Sequence, residues 1–289
     1  MSRVNPAPRA GGPPRAMAVV NPMDQGPMEL LDDDSIDESP QPSRRVPRNY
    51  LERSELPLTS LLFLLPLIAI YEIGTEWYLT DPVNGTRHII AFNLLTQFFD
   101  MFGAHGRHLP AVAVGVLLLA WHIARNDSWT LYPKTCVLML FESIVMAVPL
   151  VIMGYAVMYY TPNIHLMATD AGGPSFTGLL VLNLGAGIYE ELVFRLIAFT
   201  AISLLLIEVL KFRELTANIV MVGGSAVLFS LYHYLGDEPF ALPSFAFRTV
   251  AGLYFGAMFL VRGFGVTAGA HAAYDIFVTM QHFSNPDSQ

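Results

Sequence analysis

Six side chains in the C-terminal half could carry out acid–base chemistry together. Glu190 and Glu191 sit with Arg195 in GIYEELVFR (187–195), His233 closes FSLYH (229–233), and His271 and Asp275 bracket HAAYD (271–275). All lie in apolar stretches, where ionised groups are costly and default to a functional reading. The spacing is helical: Glu191 and Arg195, Phe229 and His233, and His271 and Asp275 are each four residues apart, so each pair shares a helix face. A carboxylate beside an imidazole can hold and deprotonate a water that then attacks a carbonyl. A second imidazole with a side-chain donor can stabilise the oxyanion that forms. The same groups could instead hold Zn²⁺ through Glu190, His233 and His271 with one open position. Either route is peptide-bond hydrolysis within a membrane.

Each pair also has a plain structural reading. Glu191 and Arg195 could form a charge pair that makes both tolerable, and a lone intramembrane histidine is structural as often as not. Three helices that each present a polar group are better explained by one shared, wet cavity, because isolated groups would each cost several kcal/mol. Other intramembrane protease patterns fail. There is no His-Glu-x-x-His helix, GGSA (223–226) is not a Gly-x-Ser-Gly motif, and GFGV (263–266) lacks the acid of an aspartyl-type pair.

The elements that must position these groups are membrane helices. The chain is 53% hydrophobic and 14% charged, well below the charge of a soluble domain. Apolar runs predict an all-α, polytopic membrane helix bundle of about seven transmembrane helices: 57–79, 109–124, 135–160, one crossing within 176–210, 217–235, 245–261 and 266–282. The site falls between the C-terminal helices. One crossing with an extension beyond the membrane best fits the excess length of the fourth segment, and Gly185 and Gly187 offer a place for a break. The stretch 88–102 has helical periodicity but carries Asp100 and is short, which suggests a surface-lying or re-entrant helix. Arg44, Arg45, Arg48, Arg53, Arg125, Lys134, Lys211, Arg213 and Arg262 fall on one side, against Arg87 and Arg107 on the other. This predicts a cytoplasmic N-terminus.

Residues 1–56, rich in proline and holding the acidic run 32–38, read as a disordered cytoplasmic tail, with the multi-span domain occupying 57–285. With two lysines and no basic stripe, nucleic acid is not an expected partner; a lipid bilayer is. Cys136 stands alone, which excludes an intramolecular disulfide and a cysteine-based metal cluster.

The ordered set EELVFR, FSLYH and HAAYD resembles the three motifs of the CPBP family, the CAAX protease and bacteriocin-processing (Abi) intramembrane peptidases. The resemblance covers about 175–282. It implies that Glu190 activates water with the help of His233, that His271 and Asp275 occupy the oxyanion-stabilising place, and that Glu191 and Arg195 support the site by charge pairing, with Phe229 beside them. The family's CAAX-trimming members carry Asn where this chain has Asp275, and an ionised carboxylate cannot donate. So Asp275 is protonated, or orients His271, or faces a metal. The resemblance leaves open a glutamate-type or a metalloprotease mechanism, with Zn²⁺ the candidate cofactor. The implied substrate is a membrane-associated protein or peptide, and the site water is expected to arrive from the cytoplasmic side or a lateral gap; the size and general style of the chain suggest a bacterial inner membrane. The rival readings are a non-catalytic scaffold or immunity protein of the same fold, and an ion-coupled transporter; the latter would show internal repeats, and none is seen.

Overall fold

The computed structural model describes residues 46–83, 85–160, 173–236 and 238–284. The greater part of the expected tail, with its acidic run, lies outside the described residues. Its last residues do not behave as tail. Asn49 caps a short helix, α1 (Tyr50–Ser54), by accepting from the Glu52 N–H, and Ser54 and Leu56 are buried. The packed domain therefore begins before Pro57.

The chain is an all-α helix bundle. α2 (Pro57–Tyr78) opens on proline, whose missing N–H is no loss at a first helical position. A two-residue ribbon pairs Thr80 with Thr86 and Asp81 with Gly85, and leads to α3 (Ile90–Met101), α4 (Leu109–Ala124) and α5 (Pro133–Tyr160). The expected short helix at 88–102 is α3. It buries Ala91, Phe92 and Leu95 while exposing Leu94, Phe98 and Met101, a distribution suited to a membrane surface.

The fourth crossing, Phe176–Val209, is helical throughout. The break expected near its glycines is instead a change of winding: α6 (Phe176–Gly185) passes into π-helical turns at Ala186–Glu190 and Leu192–Ile197, then α7 (Ala198–Ser203) and a last π-helical turn. Wider turns fit more residues into a given length. They also bring the backbone close to its neighbour. A Cβ on Gly187 would lie 2.6 Å from the Ala268 carbonyl oxygen, so only glycine allows this approach.

α8 (Glu214–Tyr232) runs into a 3-10 turn at His233–Leu235, and α9 (Leu242–Ser284) completes the chain. As one straight helix, α9 would be about 64 Å long, twice a bilayer core. It is a hairpin. Gly263 takes a left-handed φ of 74°, and Phe255 and His271, each eight residues from it, stack ring on ring at 4.6 Å. Its arms, 242–262 and 264–284, are about 31 Å each and correspond to the sixth and seventh predicted spans. Five helices are long and apolar enough to cross a membrane when α9 counts once, and α4 is a shorter apolar helix.

Contacts order the bundle around the hairpin. The second arm lies alongside α5 in the same sense, with Gly265 at Met139 and Gly269 at Ser143. The first arm runs antiparallel to α8: Gly256 meets Val222, Gly252 meets Ala226, and the Phe245 carbonyl accepts from Ser230. α1 sits at the turn end, where Arg262 donates to Ser54 and grips Glu142 at 2.6 and 2.8 Å; Tyr50 donates to the same Glu142.

Candidate active site

The three motif helices converge. The π-helical turns place Glu190 and Glu191 on the inner face of the bundle, 5% and 0% exposed. The end of α8 supplies Phe229 and His233, and the second arm of α9 supplies His271 and Asp275.

Glu190 is the meeting point. Its Oε1 accepts from the Tyr232 hydroxyl at 3.3 Å. Its Oε2 lies 3.9 Å from the Nε2 of His233 and 3.9 Å from the Nε2 of His271, and accepts no hydrogen bond from the described residues. Such a separation is too long for a direct bond and suits one bridging water. The Nδ1 of His233 lies 2.8 Å from the Phe229 carbonyl. A carbonyl only accepts, so Nδ1 carries the proton and the lone pair of a neutral ring points from Nε2 towards Glu190.

His271 is held on every side. Its Nδ1 is 2.7 Å from Glu191 Oε1, its Nε2 is 3.4 Å from Asp275 Oδ2, and its ring stacks on Phe255. Nδ1 is thus within hydrogen-bond distance of one carboxylate, while Nε2 lies at ion-pair distance from a second. Glu191 also pairs with Arg195 at 3.0 Å, both wholly buried. The Arg195 guanidinium donates to the Gly252 carbonyl at 3.1 Å and sits 4.6 Å over the Phe229 ring. This ion pair is thus shared with His271, so Glu191 orients the histidine as well as balancing Arg195.

The motif residues Glu190, Glu191, Arg195, Phe229, His233, His271 and Asp275 all stand in this cluster. Tyr232 and Phe255 were missed. Tyr232 lies one residue before the motif histidine, and its hydroxyl also accepts from the Ala91 N–H at 2.6 Å, tying the first turn of α3 to Glu190. Nothing in its position relative to the motifs marks it. Arg248 is bidentate with Glu238 at 2.7 and 2.8 Å at the rim. Glu142 is engaged by Arg262 and Tyr50, apart from the cluster.

The donor types would suit zinc, yet the described residues contain no group of three His, Cys, Asp or Glu side chains arranged to hold a metal ion. The 3.9 Å from Glu190 Oε2 to either Nε2 exceeds the roughly 3.3 Å expected between neighbouring ligand atoms on a tetrahedral ion with bonds of about 2.0 Å. As placed, these side chains fit a water better than an ion.

Comparison with known proteins gives one family match. Residues 173–277 match the family model described as Type II CAAX prenyl endopeptidase Rce1-like. No curated protein and no solved structure gives a significant match. The matched range contains all three motifs and the helices that bring them together, and it lies in a chain with several helices able to span a membrane. Over residues 173–277, about a third of the chain, the sequence is thus similar to a CAAX-type endopeptidase family, in keeping with the resemblance of its three motifs to the CPBP intramembrane proteases.

Proposed function

We propose that this protein is an integral inner-membrane endopeptidase of a bacterium, with its N-terminus in the cytoplasm, that cleaves a membrane-associated protein or peptide by a glutamate-activated water. The observation that carries this reading is the position of Glu190 Oε2, equidistant from two imidazole Nε2 atoms and without a hydrogen bond from the described residues.

A water between Glu190 and His233 donates one hydrogen to each acceptor. Glu190 takes a proton from it, and the oxygen forms the new bond to the scissile carbonyl carbon. The carbonyl oxygen becomes an oxyanion and accepts from the Nε2–H of His271, whose ring is fixed by Glu191 and Phe255. Collapse breaks the C–N bond, and Glu190 returns its proton to the leaving amine. In this scheme Asp275 keeps the proton on His271 Nε2, which accounts for a carboxylate where an amide donor would otherwise stand. No step calls on a metal.

The decisive experiment assays a membrane-anchored substrate with purified wild-type protein and Glu190→Gln, which keeps the shape and removes the base. Cleavage should fall by at least about a hundredfold, the lower bound for losing a general base. Unchanged cleavage would overturn the mechanism, and would favour a non-catalytic role if the wild type were equally inert. Cleavage should also persist after incubation with a zinc chelator; loss that zinc restores would replace the water scheme with a metal one.

A further inference from the structure

The cluster is not sealed evenly. Glu191 and Arg195 are wholly buried, whereas His233 and Asp275 keep 23% and 21% of their side-chain surface exposed. Sequence direction converts this gradient into a direction along the bundle. From Glu190 to Arg195 the fourth crossing runs towards the Gly263 turn, as shown by Phe199, beyond Arg195, packing on Phe259, four residues from the turn. From His271 to Asp275 the second arm of α9 runs away from that turn. His233 lies just past the last α-helical residue of α8, whose other end sits near the turn. The closed floor of the site therefore faces the turn end, and its mouth faces the opposite end. The mouth is roofed by the first turn of α3, where Ala91 donates to Tyr232 and Ile90 meets Gly236.

The basic residues are divided between the same two ends. Arg53 lies over Tyr132 beside α1, Arg125 and Lys134 flank the α4–α5 connection, and Lys211 and Arg213 precede α8. All five belong to the turn end. At the mouth end stand Arg87, Arg107, paired with Glu76 at 2.8 Å, and Arg248, paired with Glu238. Loops rich in Lys and Arg stay in the cytoplasm. Floor and cytoplasm coincide.

We infer that the active site opens on the non-cytoplasmic face, and that its substrate is a membrane-anchored segment whose scissile bond lies just beyond the outer boundary of the bilayer. A cytoplasmic chain end would meet the floor, where the Glu191–Arg195 pair and the rings of Phe229 and Phe255 close the way. The substrate assignment rests on the protease reading; the sidedness does not.

The test separates the two. In intact bacterial cells making the full chain with Cys136→Ser, Leu235→Cys at the mouth and Glu214→Cys at the turn end are each treated with a membrane-impermeant maleimide. Leu235 and Glu214 are both exposed. The Leu235→Cys protein should be labelled directly, and the Glu214→Cys protein only after the membrane is permeabilised. The reverse pattern overturns the inference, as does direct labelling of both. Labelling needs no activity, so it decides the sidedness even if the wild type proves inert. In membranes of wild-type and Glu190→Gln cells, new peptide termini present only in wild type should map outside the cytoplasm. Termini mapping to the cytoplasmic face overturn the substrate assignment.

Discussion

Two side chains define the division of labour at the residue scale. Each buried glutamate keeps an Oε2 that accepts no hydrogen bond from the described residues, but Glu190 turns its own between two imidazole Nε2 atoms, while Glu191 gives its Oε1 to both Arg195 and His271. Removing one partner of a buried ion pair costs about 3–5 kcal/mol, and replacing both by apolar groups often costs far less. Arg195→Met should therefore destabilise the protein strongly in a detergent unfolding assay, with Glu191→Leu combined with Arg195→Met recovering much of the loss. The double variant should stay inactive, because His271 loses the carboxylate that orients it. Tyr232→Phe removes a hydrogen bond to a carboxylate, worth about 1.5–3 kcal/mol. Expected is a fall in kcat of roughly ten- to a hundredfold, with KM little changed, measured by steady-state cleavage. The spacing of four residues made the motif partners legible from sequence. The link from Glu191 to His271 was not, since it depends on which of two adjacent carboxylates a neighbouring helix meets.

Winding decides that meeting at the scale of elements. A regular α-helix places Glu190 and Glu191 about 100° apart, and apolar composition alone says nothing of a π-helical insert. The sequence did flag the place, through the excess length of the fourth segment and its glycines, but composition suggested a break where the chain keeps its helix and widens it. Gly187 shows why the widening is tolerated: it lets the π-helical turns touch the second arm of α9 directly. Gly187→Ala would force a methyl against backbone atoms of that arm. A stability loss of about 1–3 kcal/mol is expected from overpacking, with a larger fall in cleavage than in stability, because the added methyl parts Glu190 from His271. Comparing thermal unfolding with turnover for this variant checks the point.

Across the whole molecule, the class of fold was readable because a bilayer imposes a length and an apolar composition on each crossing. The reversal at Gly263 was readable only as a gap between two spans. The attachment of α1 was not readable, because it depends on Arg262 gathering Ser54 and Glu142 from residues distant in sequence. Glu142→Ala leaves that guanidinium half-satisfied and removes the acceptor of Tyr50. Faster proteolysis near α1 and a lower unfolding temperature are expected, with cleavage chemistry retained, since Glu142 stands apart from the site.

The hairpin has a mechanical consequence. Its two arms are joined at the turn, beneath α1, so they can part only at their free ends, like tweezers. His271 lies about 12 Å from that pivot and the free ends about 31 Å. If the tips were spread by a bulky guest, the lever ratio would move the histidine by only about two-fifths as much. The mouth can yield to a bulky guest while the group that must meet the oxyanion stays near its place.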